Sequence, residues 1–184
     1  MRCYTEKAYR IIQFDKIEYQ KFLKNQGLSE RDIKRLNILF ITNFTPAHFS
    51  GSPTLAPGGA YFQHTGEYVA KMNDKARGLY RPSYLPDTYA AIFLRPGQHK
   101  TPIHMMNPIF LNEVLLHETR HHIQHCLKLS CMKSFDSVVD SDAPSERDQP
   151  WEMDAEDFAA KYVKQVSFLS IVLPPTRRSD LVDL

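Results

Sequence analysis

Cysteine, glycine and long apolar runs are all scarce in this sequence. There are only three cysteines, Cys3, Cys126 and Cys131. An odd and small number does not indicate a disulfide framework, so we expect a reducing compartment. Seven glycines exclude collagen-like and low-complexity classes. No run of about 18 apolar residues occurs, and residues 1–15 lack the apolar segment of a secretory signal. These absences predict a cytoplasmic protein with no membrane partner.

Neither sign of charge dominates the chain. There are 23 basic and 21 acidic side chains, which give a formal net charge of +2. A dedicated nucleic-acid binder usually concentrates far more basic charge, so we expect no nucleic-acid partner. The length of 184 residues suits one domain with a sizeable core. Within residues 1–184 we expect an N-terminal helical region (1–36), sheet and loops (37–106), two long helices (107–173) and a tail (174–184).

Local signals predict helices and a few short strands. Asp15 and Gly27 are residue types that begin and end helices, and Asn107 followed by Pro108 is a preferred helix start. The predicted helices are 16–26, a turn at 29–36, 108–129, and a last helix from 150 to before 174. The predicted strands are 38–44, a hairpin of 60–63 and 68–72, and 89–94. This order predicts an α+β fold in which a short mixed or antiparallel sheet packs on the two long helices.

The most informative motif lies in the first long helix. His117, Glu118 and His121 form an H-E-x-x-H pattern. On a helix, residues four apart lie about 40° apart on one face, so both imidazoles can bind one zinc ion. Glu118 lies beside them, placed to act on a metal-bound water rather than on the metal. The helix is apolar over most of its circumference, so these polar groups need partners, which a metal would supply. The alternative is a histidine-rich surface patch.

The last predicted helix offers a third ligand. Glu152 and Glu156 lie about 40° apart on a face that otherwise carries apolar residues, whereas Asp154 lies on the predicted outward face. Two carboxylates on a buried face are unusual. We therefore expect Glu152 to be the third metal ligand and Glu156 to accept the free N–H of a ligating histidine. The alternative is that both acids lie at the start of the helix because the helix dipole favours them there.

The two motifs together resemble those of the gluzincin zinc metallopeptidases, and they are most similar to the small ImmA/IrrE-type proteins and minimal gluzincin scaffolds. The resemblance covers about residues 107–166. From residue 152 the chain reads E-x-x-A-E-x-F-A, where the family has E-x-x-A-[ND]-x-F-A, so Glu156 departs from the family pattern. The resemblance implies a zincin-like fold, a Zn²⁺ cofactor, a protein or peptide substrate, Glu118 as general base, and as ligands His117, His121 and Glu152.

Two further roles stay open in the sequence. The oxyanion of a peptidase needs a stabiliser besides the metal, and the candidates are Tyr162, His125, Arg120 and His104. The alternative for Tyr162, which we favour, is a core residue. The second role is substrate docking, for which strand 89–94 is the expected sheet edge, and the alternative is an interior strand.

The sequence therefore predicts a zinc metallopeptidase that acts on a specific intracellular protein. The alternative is a zinc-binding regulatory or interaction protein of the same fold with little or no turnover. A third interpretation is an unrelated helical module in which the motif is fortuitous. Glu118 favours the first, because structural zinc sites use four protein ligands and need no base. The acidic stretch 134–149, which joins the two helices, is expected to be exposed and to supply no ligand.

Overall fold

The structure, a computed structural model, describes residues 1–6, 12–45, 76–82, 89–96, 107–131 and 149–172. The hairpin predicted at 60–72, the acidic stretch at 134–148 and His104 lie outside these ranges. The elements of the described residues are, in chain order, β1 (Arg2–Thr5), β2 (Ile12–Phe14), α1 (Lys16–Asn25), α2 (Glu30–Lys34), β3 (Leu36–Phe40), β4 (Gly78–Arg81), β5 (Ala90–Leu94), α3 (Pro108–Leu127), α4 (Pro150–Tyr162) and β6 (Leu169–Ile171).

The sheet is mixed. Four strands pair in the order β1-β3-β5-β4. β1, β3 and β5 are parallel, and β4 is antiparallel to β5. β2 and β6 form a separate antiparallel pair. Together with the helices, this arrangement confirms the predicted α+β class with a short mixed sheet.

β5 is a central strand of the sheet and not its edge. It pairs with β3 on one side and β4 on the other, and all of its residues are buried. The prediction of an edge at 89–94 was therefore wrong. The continuous apolar run of this strand is typical of a strand that is covered on both faces. Among the described strands the two edges are β1 and β4, and β4 lies in a stretch where the sequence indicated no strand. Among the described strands, none pairs with the outer side of β4.

The first 36 residues contain strands as well as the predicted helices. The helix α1 begins at the predicted cap Asp15, and α2 begins at Ser29; both side chains accept a hydrogen bond from a backbone N–H group three residues ahead. β1 and β2 were not predicted. They are four and three residues long, and alternation over so few residues does not identify a strand.

The last helix ends earlier than predicted. α4 begins at Pro150 as expected, but it ends at Tyr162. Asn112 of α3 donates from Nδ2 to the carbonyl of Val166 (2.8 Å) and accepts from the N–H of Phe168 (3.0 Å). These bonds give backbone groups a partner outside the helix, so the chain leaves the helix and continues into β6. Phe168 consequently packs in the main core.

The two faces of the sheet have different surroundings. One face packs on α3, and side chains such as Ile38 and Ile92 join Leu115 of that helix in the main core. The other face carries a smaller buried cluster, formed by Ile41, Phe44, Ala91 and Phe93. The described residues include no helix with both the length and the apolar character to span a membrane.

Candidate metal centre

Two neighbouring helices bring the three predicted ligands together. His117 and His121 lie one turn apart on α3, and Glu152 lies in the first turn of α4. The two histidine Nε2 atoms are 3.1 Å apart. Oε2 of Glu152 is 3.1 Å from Nε2 of His117, and Oε1 is 3.3 Å from Nε2 of His121. The side chains converge on one point and form a group able to hold a metal ion.

Polar contacts between α3 and α4 fix the orientation of the second helix. Arg120 donates from Nε and Nη2 to the two oxygens of Asp154, at 2.6 and 2.9 Å. Gln124 donates from Nε2 to Oδ2 of Asp154 (2.8 Å) and to the carbonyl of Trp151 (2.7 Å). The sequence predicted an outward Asp154, but the structure turns it toward α3. Glu152 lies between these two anchored residues and is thereby held toward the histidines.

Gln124 also determines where His121 carries its proton. Because its amide nitrogen donates to two oxygens, Oε1 of Gln124 acts as acceptor, 2.9 Å from Nδ1 of His121. Nδ1 therefore carries the proton, and in the neutral ring the lone pair on Nε2 points to His117 and Glu152, as a metal ligand requires. The sequence predicted Glu156 for this role, but the structure places Glu156 on an exposed position of α4.

Electrostatics couple the three groups. Burial disfavours the charged form of Glu152, but hydrogen bonds to His117 and His121 outweigh it and lower the pKa of Glu152 to about 2. Burial likewise disfavours the charged form of His121, but the hydrogen bond to Glu152 and the charge of Glu118 raise its pKa to about 9. The metal-free centre is thus an imidazolium beside a carboxylate. A metal must displace this proton, because only the neutral imidazole is a ligand.

Glu118 lies outside the ligand group, against the edge strand β4. It is 7% exposed, and its carboxylate accepts a hydrogen bond from the backbone N–H of Tyr80. Burial raises the pKa of Glu118, although the two nearby imidazoles oppose the rise. A Cβ at Gly78 would lie 2.4 Å from Oε1 of Glu118 and 2.8 Å from Cγ1 of Val114. Only glycine therefore fits where β4 crosses α3.

The sequence alone did not indicate the roles of four residues around the centre, which are Gly78, Tyr80, Gln124 and Asp154. The roles of Gly78 and Tyr80 depend on where β4 crosses α3, and no local pattern reports that crossing. Asp154 was placed on the wrong side of its helix. Gln124 had a usable signal, because it follows His121 by three residues, a spacing at which helical side chains meet.

Three of the four candidates for oxyanion stabilisation lie in the described part of the chain, where each has other contacts. Tyr162 packs in the core against Phe158 and Phe22, with ring centroids 4.7 and 5.2 Å away. Arg120 is engaged by Asp154, as described above. The ring of His125 lies against that of Tyr80, 6.4 Å between centroids. Which residue would stabilise an oxyanion stays a prediction.

The neighbouring His122 and Cys126 have packing roles. Nδ1 of His122 is 3.2 Å from the hydroxyl of Tyr80 and 3.7 Å from Sγ of Cys126. Burial lowers the pKa of His122 to about 4 and raises the pKa of Cys126 to about 12, so both groups are neutral near pH 7. Cys3, Cys126 and Cys131 form no disulfide bond, as expected from their number.

The donor set determines which ions fit. Two imidazoles and one carboxylate match the protein ligands of catalytic zinc sites, which keep one position open. Imidazole also suits other transition metals, whereas calcium and magnesium prefer oxygen ligands. The residues therefore fit a transition-metal ion, whose identity the geometry leaves unspecified.

No family model matches the chain, and no curated protein and no solved structure matches it. The function has to be argued from the site itself.

Proposed function

We propose that this protein hydrolyses peptide bonds with the help of a bound zinc ion. The observation that carries the proposal is the position of Glu118. It is buried beside the group formed by His117, His121 and Glu152, yet it is not a member of that group. A structural metal site uses four protein ligands and has no need of an additional buried acid. Three ligands with an adjacent acid are the arrangement that metal-assisted hydrolysis requires.

Each residue has a separate task in this reaction. His117, His121 and Glu152 would hold the ion, and Gln124 keeps His121 in the ligating tautomer. When bound, zinc supplies polarisation of a carbonyl group and a lowered pKa of water. Glu118 acts as general base and takes the proton of the attacking water, and its raised pKa favours that uptake. Glu118 then returns the proton to the leaving amine.

The position of β4 at the end of the described sheet favours a peptide as substrate. An extended peptide can add to an exposed sheet edge through main-chain hydrogen bonds. β4 contacts Glu118 through Gly78 and Tyr80, so a peptide paired along this strand would pass close to the general base. β4 thus takes the place that the sequence predicted for strand 89–94. The cytoplasmic location and the identity of the protein substrate stay predictions.

The test separates metal binding from catalysis. The purified full chain and three variants, Glu118→Gln, Glu152→Ala and the control Glu113→Gln, are analysed for zinc content and incubated with a cell lysate. New peptide termini are then identified by mass spectrometry. Glu113 is exposed on the same helix, so its variant removes a carboxylate without touching the centre. We expect Glu118→Gln to keep zinc and lose cleavage, Glu152→Ala to lose zinc, and Glu113→Gln to behave as the wild type.

Two results would contradict the proposal in different ways. Absence of zinc from the wild-type protein, even after incubation with the ion, would reject the metal centre. Full zinc content without any cleavage that depends on Glu118 would reject hydrolysis. That second result would support the alternative of a zinc-binding regulatory or interaction protein.

A further inference from the structure

The sheet face that points away from α3 carries a row of polar residues. The strand registers align Arg2, Asn37, Ala91 and Arg81 across β1, β3, β5 and β4. Directly paired residues of neighbouring strands place their side chains on the same face. Ala91 belongs to the buried cluster on the face opposite the main core, so the whole row lies on that face. Glu118 and the candidate metal centre lie on the other side of the sheet.

The row borders a cavity of about 340 Å³. Ala91, the third residue of the row, also lines it. Three strand spacings separate Arg2 from Arg81 by about 14 Å, a distance that two arginine side chains leaning inward can close around one small molecule. Both arginines line this cavity. Its volume falls in the range of small-molecule sites, about 300–1,000 Å³.

Polar groups that line the cavity lack ion-pair or hydrogen-bond partners among the described residues. Within the described part of the chain, neither Arg2 nor Arg81 forms an ion pair. The guanidinium of Arg81 lies 5.5 Å from the ring centroid of Phe93, which holds it over the sheet, and burial lowers its pKa. Oδ1 of Asn37 is buried without a hydrogen-bond partner. An unpartnered buried oxygen is costly, so Asn37 calls for a hydrogen-bond donor, and the positive charges of Arg2 and Arg81 favour a ligand with negative charge.

We propose that this cavity binds a small organic anion, either a phosphate monoester or a carboxylic acid, between Arg2 and Arg81. The oxyanion accepts charged hydrogen bonds from both guanidinium groups, which suit planar, bidentate contacts. A hydroxyl of the ligand donates to Oδ1 of Asn37. The apolar part of the ligand lies on Tyr4, which is 59% exposed, and on Leu39. The site needs no metal and does not depend on the proposed hydrolase activity.

Calorimetric titration of the full chain tests this site with three probes: inorganic phosphate, adenosine monophosphate and citrate. Arg2→Gln and Arg81→Gln each remove one guanidinium from the row. Lys164→Gln removes one exposed positive charge outside the row and serves as the matched control. Because each arginine variant loses charged hydrogen bonds, we expect its affinity for the bound probe to be about 10- to 100-fold weaker, and the affinity of the control to be unchanged. His117→Ala reports whether a probe binds at the metal centre instead.

The outcomes separate the two ligand classes. Binding of phosphate and adenosine monophosphate without citrate supports a phosphate monoester, and the reverse supports a carboxylic acid. The proposal is overturned if no probe shows saturable binding, or if both arginine variants bind as tightly as the wild type. Binding that His117→Ala abolishes and the arginine variants keep would also overturn it, because the anion would then be at the metal centre.

Discussion

Replacement of Gly78 by alanine tests whether β4 positions Glu118. The added Cβ would lie 2.4 Å from Oε1 and 2.6 Å from Cγ of Glu118, and 2.8 Å from Cγ1 of Val114. Carbon atoms normally pack about 3.5–4.0 Å apart, so β4 and α3 have to separate by about 1 Å. Rotation of the carboxylate alone cannot relieve the overlap, because Cγ of Glu118 and the valine are also too close.

The overlap sets the expected size of the effect. Excess volume in a packed interface costs about 1–3 kcal/mol of stability. Displacement of a catalytic group by about 1 Å can cost roughly 100-fold in rate. We therefore expect Gly78→Ala to lower peptide hydrolysis per bound zinc by about 100-fold. Zinc stoichiometry should not change, because the ligands lie on α3 and α4 and none lies on β4.

Gly27→Ala is the matched control. Gly27 has a φ of +91°, so alanine is strained there, but the nearest atom to the new Cβ is Cδ1 of Leu127 at 3.8 Å. We expect this variant to lose about 1 kcal/mol of stability through backbone strain and to keep its activity. The comparison separates a general loss of stability from displacement of Glu118.

A double-mutant cycle makes the test independent of any substrate. Glu118→Ala removes the atoms that the new methyl group at position 78 would overlap, apart from Val114. In urea unfolding, Gly78→Ala should therefore be less destabilising in the Glu118→Ala background, with a coupling of about 1 kcal/mol or more. Additive effects of the two substitutions, or wild-type turnover in Gly78→Ala, would refute the close contact between β4 and Glu118.

Four further predictions concern the candidate metal centre. A strong chelator should lower the melting temperature, and added zinc should restore it, because an ion that binds only the native state stabilises it; an unchanged melting curve would argue against a bound metal. Gln124→Leu removes the acceptor for Nδ1 of His121 and the donor to Asp154 and Trp151, so zinc affinity in a competition titration should fall about 10- to 100-fold, and an unchanged affinity would argue against this role of Gln124. At pH 7, zinc binding should release about one proton, because His121 is protonated in the metal-free protein with a pKa of about 9, raised from 6.5. Its contribution to metal-free stability is accordingly complete below pH 6.5 and lost as the pH rises through about 9. Calorimetry in buffers of different ionisation enthalpy and urea unfolding against pH check these two statements, and proton release near zero would contradict the pairing of His121 with Glu152.

The parts of the fold that sequence predicted are those set by local chemistry. Asn107 and Pro108 identify the start of α3 because the cap acts within one turn, and Oδ1 of Asn107 accepts from the N–H of Ile109 at 3.0 Å. His117 and His121 share a face because helix geometry alone puts them there. These features require no knowledge of the rest of the chain.

The features that sequence did not predict depend on distant partners. β4 has only four residues, and it is a strand because it pairs with β5 and lies against α3. The helical pattern of the sequence continues beyond Tyr162, but the helix α4 ends there. Asn112 forms hydrogen bonds with the backbone of Val166 and Phe168, which then lie outside the helix. In both places a tertiary hydrogen-bond network overrides the local preference.

The choice between Glu152 and Glu156 illustrates how such a network decides the site. Helix geometry puts both acids on one broad face, so periodicity alone cannot say which one points to the histidines. Asp154 removes the ambiguity, because Arg120 and Gln124 hold its carboxylate against α3 and thereby fix the rotation of α4 about its axis. In that rotation Glu152 contacts both imidazoles, and Glu156 is left exposed. The ligand set therefore depends on Asp154, whose carboxylate belongs to the contacts between helices rather than to the group that would hold the metal.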